Sequence, residues 1–374
     1  MGLIRLFLAL VVAADHWRVI KLASFAIPFE DSYKFGFNAG YAVMFFYVIS
    51  GFLITYTLSH NYRRDLGGSL KFYVNRFIRI FSLYWPLVLV AFLVVNNSWQ
   101  SFLTWSVPDK LTGIFLLGID WRLSFASYPQ THFSAMIPGL EQAWTLGAEL
   151  SFYLVAPLLM RSWKIGAALL VASFGLRAVF TIALGGEFHQ IWSYHFVGTT
   201  FGFFMLGHLI CLAARRWRWL SQPLLGWLVL ICSFAMMTFG GSYAGYDTTR
   251  FWGAALLFTL ALPGLFEGTK NIRWMNAAGD LSYPVYLVHT LVLYGLGAWL
   301  LKVSLPLSYL PPVAAGLVSI AIFVLVTTAV AFAAHRLLEV PIARAMHKLS
   351  SLRGSRKRPA PPTVAEGHAP TIAG

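Results

Sequence analysis

The first predicted helix is largely apolar but carries Arg5 near its beginning and Asp15 and His16 near its end. Arg5 and His16 are eleven positions apart, so at about 100° per residue they share one face of an α-helix, about 16 Å apart along its axis. Ionisable residues at such a depth in a membrane are costly and are candidates for function. Because an imidazole accepts and returns a proton near neutral pH, His16 is a candidate for proton transfer. The alternative is that His16 ends a short helix and makes a hydrogen bond at the outer interface.

Other chemically active side chains lie in or beside further apolar segments. Glu149 falls within an apolar helix, where an unpaired carboxylate is expensive. Arg76 and Arg79 are three positions apart and share a helix face. Their guanidinium groups suit phosphates, although anchoring at the cytoplasmic edge of the membrane is the alternative. Ser282 and His289 are seven positions apart and also share a helix face. One interpretation is that their helix lines a cavity shared with the other candidate residues; the alternative is that His289 makes a local hydrogen bond.

The composition excludes an ordinary soluble protein. Of the 374 residues, 58% are hydrophobic and only 11% are charged, whereas soluble domains carry about 25% charged residues. We attribute the net charge of +14 to basic loops that face the cytoplasm, and expect no nucleic-acid partner. The two cysteines, Cys211 and Cys232, lie in apolar runs. Their positions predict neither a disulfide framework nor a metal site.

Ten segments are long and apolar enough to span a bilayer, which takes about 20 mostly apolar residues. They lie near residues 2–20, 39–58, 80–97, 143–160, 165–184, 196–213, 223–240, 249–266, 281–301 and 312–334. The apolar piece LTGIFLLGI, within the long connection 98–142, is too short to span and is predicted to be interfacial or re-entrant. The predicted fold class is an all-α integral membrane protein with about ten transmembrane helices.

The distribution of Lys and Arg predicts the orientation of these helices. When both termini are cytoplasmic, the inside loops and the segment after residue 334 hold most of the basic residues. A cleaved signal peptide at the N-terminus would reverse every loop and spoil this bias. Residues 346–374 are basic and rich in Pro and Ala, and are predicted to form a disordered cytoplasmic tail. Residues 1–345 then form the transmembrane domain of a multi-pass inner-membrane protein.

Six motifs follow one another along the chain. The Arg-x10-His pattern of the first helix precedes FYVISGFLIT (46–55), NRFIRIFSLYWP (75–86), WTLGAELSFYLVAP (144–157), LSYPVYLVH (281–289) and LEVP (338–341). In content and order they resemble the acyltransferase-3 family of polytopic membrane O-acyltransferases. The second motif departs from the family pattern at Tyr47, where the family has a second Phe. The ten-helix fold that the resemblance implies agrees with the count of apolar segments.

The resemblance implies transfer of an acyl group, often acetyl from acyl-CoA, to a hydroxyl of a glycan, a lipid-linked sugar or a small molecule. This chemistry needs a base for the hydroxyl and stabilisation of a tetrahedral oxyanion. His16 is the expected base, or forms a covalent acyl-histidine. Glu149 is expected to orient His16, to stabilise its imidazolium or to bind the acceptor; a structural pair with a buried Arg or Tyr is the alternative. His289 is the third catalytic candidate.

The resemblance also implies the ligands. We expect acyl-CoA, acetyl-CoA in the first instance, as the donor substrate, with its phosphates bound by Arg76 and Arg79 and with Arg5 assisting. No metal is expected. The expected partners are a saccharide or glycan acceptor and the lipid bilayer, and a homo-oligomer is left open. A transporter or flippase for an acylated or lipid-linked saccharide is the rival function, although the chain shows no repeated half with matching broken helices. A non-catalytic membrane assembly or sensor protein is the third alternative.

Other motif residues are predicted to be structural. Small residues in the second helix allow close approach of a neighbouring helix, and two tyrosines of LSYPVYLVH pack against their surroundings. The small residues are Ser50 and Gly51, and the tyrosines are Tyr283 and Tyr286. Glu339 is expected to pair with a basic residue such as Arg336 or Arg344 at the end of the last helix.

Overall fold

The computed structural model describes residues 1–21, 39–126, 136–160, 162–184, 191–238, 249–304 and 309–355. Within these ranges the regular structure is helical and contains no strand. The longer helices are α1 (Gly2–Lys21), α2 (Ala39–His60), α3 (Leu66–Val94), α7 (Trp144–Leu159), α8 (Trp163–Leu184), α9 (Val197–Arg216), α10 (Pro223–Thr238), α11 (Thr249–Thr269), α13 (Ser282–Ser304), α14 (Pro312–Ala334) and α15 (Val340–Ser355). The shorter ones are α4 (Ser98–Thr104), α5 (Val107–Phe115), α6 (Ile119–Ala126) and α12 (Arg273–Asp280). The all-α class is therefore confirmed for the described part of the chain.

Each of the ten predicted apolar segments falls on one of the longer helices. In the described ranges, six helical stretches are long and apolar enough to cross a membrane: Ala39–His60, Leu66–Val94, Trp163–Ala183, Trp192–Arg216, Thr249–Thr269 and Pro312–Ser350. The number of ten spans and the cytoplasmic position of both termini stay predictions. Helix α15 extends into the predicted tail as far as Ser355, and residues 356–374 lie outside the described residues.

Helix α3 begins fourteen residues before the apolar segment predicted at 80–97. The Asp65 side chain caps it by accepting a hydrogen bond from the backbone N–H of Gly68 at 2.7 Å. Hydropathy alone placed the start too late, because Arg76 and Arg79 interrupt the apolar run. The longer helix holds both arginines rigidly inside a regular element, three turns from its beginning.

Close helix packing depends on glycine at the α2–α9 contact. A Cβ atom on Gly51 would lie 1.9 Å from the carbonyl oxygen of Phe204, and one on Gly207 would lie 2.0 Å from the carbonyl oxygen of Val48. The two backbones therefore touch through reciprocal glycines, as small residues allow in membrane bundles. This confirms the structural role predicted for Gly51.

Replacing Gly51 with alanine is expected to destabilise the protein by about 1–3 kcal/mol, since the added methyl group must push α2 away from α9. The thermal unfolding midpoint in detergent measures this effect. Gly175→Ala is the matched control, because a Cβ atom there meets nothing within 4 Å. Equal melting temperatures for the two variants would contradict the close contact.

Helix α1 packs against α12 at its N-terminal end and against α14 towards its C-terminal end, and it also contacts α13 through His16. Gly2 and Gly279 approach so closely that a Cβ on Gly279 would lie 2.4 Å from the Cα of Gly2. Towards the other end of α1, the indole N–H of Trp17 donates to the hydroxyl of Ser319 at 3.0 Å. These contacts fix the register of α1, and with it the positions of Arg5 and His16.

Candidate active site

A cavity of about 250 Å³ lies within the helix bundle between α1, α2, α3, α7, α12 and α13. We call it the central cavity. Its polar and aromatic lining includes Arg5, Ser50, Arg76, Arg79, Thr145, Glu149, Tyr153, Asp280, Tyr283 and Tyr286. Three predicted phosphate-binding arginines and one predicted catalytic carboxylate are therefore brought together in one space.

Glu149 is held on the wall of the central cavity by two hydroxyl groups. The hydroxyl of Ser50 donates to its Oε1 at 2.8 Å, and the hydroxyl of Tyr153 donates to the same oxygen. Tyr153 is one helical turn beyond Glu149 on α7, and Ser50 comes from α2. Both donors act on one carboxylate oxygen, so Oε2 makes no hydrogen bond to the described part of the chain.

The expected contact between Glu149 and His16 is absent from the described hydrogen bonds. Glu149 bonds to Ser50 and Tyr153, whereas His16 bonds to Val12 and His289. No hydrogen bond of the described residues therefore supports the expectation that Glu149 orients His16, which stays a prediction. The bond to Tyr153 matches the alternative, a pair with a buried tyrosine.

The charge of Arg79 is neutralised by Glu339, which lies between α14 and α15. Its guanidinium lies 3.3 Å from the Oε1 atom of Glu339 and 5.5 Å from the ring centroid of Tyr283. Nδ1 of His335 lies 2.7 Å from the other carboxylate oxygen of Glu339. A π-helical turn at His335–Glu339 places this buried carboxylate against α3. The predicted partners of Glu339, Arg336 and Arg344, are thus replaced by Arg79, which lies 260 positions away in the chain.

Arg76 has aromatic neighbours instead of a carboxylate. Its guanidinium carbon lies 5.3 Å from the ring centroid of Phe72 and 5.5 Å from that of Tyr153. Such cation–π contacts stabilise a guanidinium without neutralising its charge. In the described ranges Arg76 makes no ion pair, and its Nε is a buried donor without a partner. Arg76 is therefore the cation in the central cavity best suited to bind an incoming anion.

Arg5 brings a third positive charge to this end of the bundle. It interacts electrostatically with the like charge of Arg79 and with the opposite charges of Glu149 and Asp280. Helix α1 thus contributes a guanidinium to the same space as the two arginines of α3. Clustered guanidinium groups repel one another, and a bound anion such as a phosphate reduces that repulsion.

His16 and His289 form a pair next to the central cavity without lining it. Nε2 of His289 lies 3.3 Å from Nδ1 of His16, and the ring centroids are 5.0 Å apart. His289 is fully buried, and its ring centroid lies 5.9 Å from that of Tyr286, whose side chain does line the cavity. One turn of α13 therefore connects the histidine pair with the cavity.

The hydrogen bonds of the pair assign its protons. Nδ1 of His289 lies 2.7 Å from the carbonyl oxygen of Tyr286, and Nδ1 of His16 lies 2.9 Å from that of Val12. A carbonyl oxygen only accepts, so each Nδ1 carries a hydrogen in the neutral pair. The single Nδ1–H of His16 is then shared between the carbonyl oxygen of Val12 and Nε2 of His289, the longer of the two contacts. Nε2 of His16 is left with a lone pair, the state that a general base requires.

The family model described as an acyltransferase domain matches residues 1–336. The chain belongs to the acyltransferase-3 family. It is therefore a membrane acyltransferase that transfers groups other than aminoacyl groups. Nodulation protein 10 of Rhizobium leguminosarum bv. viciae is 28% identical over 322 residues, which cover 79% of this chain and 82% of that protein. No solved structure matches the chain.

Five of the six acyltransferase-3 motifs contribute lining residues to the central cavity, and two of them supply residues whose role was not predicted. Ser50, expected only to permit close packing, donates to Glu149. Tyr286, also expected only to pack, lines the cavity and bonds through its hydroxyl to Thr145. Polar side chains at these positions of apolar helices are the signal that could have identified them. Asp280 lies outside all six motifs, and nothing in the sequence singled it out.

Among the described residues, no group of three or more His, Cys, Asp or Glu side chains is arranged to hold a metal ion.

Proposed function

We propose that this acyltransferase is an inner-membrane O-acyltransferase that moves an acetyl group from acetyl-CoA to a hydroxyl of a saccharide or glycan. The central cavity carries the proposal, because three guanidinium groups from α1 and α3 line one space with a hydrogen-bonded carboxylate. Guanidinium groups form charge-assisted, forked hydrogen bonds with phosphates, and CoA carries three phosphate groups. If the N-terminus is cytoplasmic, as the basic loops predict, the donor enters from the cytoplasm.

In this proposal His16 is the general base. Its Nε2 takes the proton of the acceptor hydroxyl while the hydroxyl oxygen attacks the thioester carbonyl carbon, which gives a tetrahedral intermediate. Collapse of the intermediate breaks the carbon–sulfur bond, and the imidazolium gives its proton to the departing CoA thiolate. Acylation of His16 itself, followed by transfer to the hydroxyl, is the alternative route. The unprotonated Nε2 assigned from the hydrogen bonds supports either route.

His289 then acts as a positioning residue for His16. When His16 takes a proton, its Nδ1–H becomes a charge-assisted donor to Nε2 of His289. The same contact holds the imidazole ring of His16 in one orientation. Glu149 is placed elsewhere in the site, and its Oε2 atom is proposed to accept a hydrogen bond from the bound substrate.

Replacing His289 with leucine is expected to lower kcat at least about tenfold, since a hydrogen bond to a charged group contributes about 1.5–3 kcal/mol. KM for acetyl-CoA should stay within about twofold of its original value, because His289 does not line the central cavity. His289→Gln keeps an acceptor oxygen and should recover part of the lost rate. Initial rates at saturating and limiting acetyl-CoA measure both parameters. Equal losses of kcat in the two variants would show that His289 contributes only through packing.

Label transfer tests the function itself. The purified protein in nanodiscs is incubated with acetyl-CoA labelled in the acetyl group and with a panel of oligosaccharides, and the saccharides are then analysed by mass spectrometry. We expect labelled O-acetyl groups without any membrane potential or ion gradient. A flippase would instead move saccharide across proteoliposomes without transferring the label. A non-catalytic assembly protein would do neither.

A further inference from the structure

A second cavity, of about 430 Å³, adjoins the central cavity at the N-terminal end of α1. We call it the N-terminal cavity. Arg5, Leu53 and Asp280 line both cavities, so the two spaces meet at these three side chains. The acyl transfer described above leaves the N-terminal cavity without a use.

The volume of the central cavity limits what it can hold. Sites for drug-sized ligands measure about 300–1,000 Å³, and the central cavity has only about 250 Å³. CoA is larger than a drug-sized ligand and consists of an adenosine 3′-phosphate, a diphosphate and a long, narrow pantetheine arm. The central cavity therefore has room for a part of acyl-CoA, and the remainder must lie in an adjoining space.

The lining of the N-terminal cavity has the chemistry of a nucleotide site. Tyr56 and Phe266 lie side by side with ring centroids 4.7 Å apart and ring planes tilted by 59°, so a purine can stack on the face of one ring while it contacts the other. Asn271 and Asn276 supply amide groups that can donate to and accept from a purine edge. Asn276 uses its Nδ2 atom to bond the carbonyl of Lys270 at 2.9 Å, so its Oδ1 stays an acceptor.

Lys270 adds a cation to the lining of this cavity, to which the arginines of α3 do not contribute. Its ammonium pairs with Glu267 at 2.6 Å, and this hydrogen bond raises the pKa of Lys270. The ammonium therefore stays charged at neutral pH, and an ammonium has three donors, of which this pair uses one. An exposed ion pair of this kind is weak and does not prevent a phosphate from binding.

Resting on the proposed acyl transfer, we infer that the N-terminal cavity binds the adenosine 3′-phosphate end of acyl-CoA. The purine lies against Tyr56 and Phe266, and the 3′-phosphate lies at Lys270. The diphosphate passes Arg5 at the junction and reaches Arg76. The pantetheine arm then carries the thioester through the central cavity towards Tyr286 and the histidine pair. Each group of the donor thus meets side chains of suitable chemistry in one of the two cavities or at their junction.

The test compares CoA with dephospho-CoA, which lacks only the 3′-phosphate. Binding of both to the full chain in nanodiscs is measured by titration calorimetry, and KM is measured for their acetyl thioesters. The original chain is expected to bind CoA about tenfold more tightly than dephospho-CoA. In Lys270→Ala this preference should disappear, because KM for acetyl-CoA rises to that for the dephospho compound.

Arg273→Ala is the matched control, because Arg273 is an exposed basic residue close in sequence that does not line the N-terminal cavity. It should keep the preference for CoA. An equal preference in Lys270→Ala and the original chain would overturn the subsite, even if acyl transfer is observed. Conversely, CoA binding with the expected preference but without transfer to any hydroxyl would leave the subsite standing and refute the proposed function.

Discussion

Replacing His16 with alanine is expected to lower kcat for acyl transfer by about 10²- to 10⁴-fold, the usual contribution of a general base. The variant loses the only atom to which the proposal assigns the hydroxyl proton, Nε2 of the imidazole. KM for acetyl-CoA should change little, because His16 does not line the central cavity where the donor binds. The measurement is label transfer from acetyl-CoA under saturating conditions, with matched amounts of folded protein.

His347→Ala is a suitable control for the His16 variant. His347 is exposed on α15, so its removal should leave both kcat and the thermal unfolding midpoint unchanged. A His16→Ala protein that melts like the original chain and acylates at the original rate would refute the assignment of the base. Intact mass spectrometry of protein quenched during turnover separates the two routes, since only the covalent route adds an acyl group to His16.

Much of the helical framework could be predicted from hydropathy, because each predicted apolar segment falls on a helix of the described ranges. Helical periodicity also predicted that Arg5 and His16 share a face of α1. What local pattern could not predict is which side chain of another helix meets each of them. His289 is 273 positions from His16, and their contact depends on how α1 packs against α13. The Gly2–Gly279 approach that helps to fix this packing has no recognisable spacing in the sequence.

The partners of the charged residues also could not be predicted from local sequence pattern. Hydropathy and motif resemblance identified Glu149 and Glu339 as carboxylates that need a partner. Each was expected to pair with a chemically suitable group, and Glu339 with one close in sequence. The structure instead assigns Ser50 and Tyr153 to Glu149, and Arg79 to Glu339. Side-chain chemistry therefore predicts that a buried charge is satisfied, whereas the identity of the partner follows from tertiary packing.

The two arginines of α3 belong to one motif, but we expect the loss of Arg76 to weaken donor binding and the loss of Arg79 to lower stability. Arg76→Ala should raise KM for acetyl-CoA by about 10- to 100-fold, because its guanidinium has no carboxylate partner in the described ranges and is proposed to bind the donor diphosphate. Its loss should leave the thermal unfolding midpoint nearly unchanged.

Arg79→Ala should instead destabilise the fold, since it leaves the buried carboxylate of Glu339 without its guanidinium partner. A second substitution, Glu339→Gln, removes that unpaired charge and should restore part of the lost stability.

Arg76→Lys keeps the charge but loses the forked donor geometry, so it should recover only part of the donor affinity. Initial rates over a range of acetyl-CoA concentrations and melting curves in detergent measure the two effects separately. If Arg76→Ala leaves KM unchanged while Arg79→Ala raises it without loss of stability, the roles of the two arginines are reversed, because the cation that is paired in the resting protein would then be the one that binds the donor.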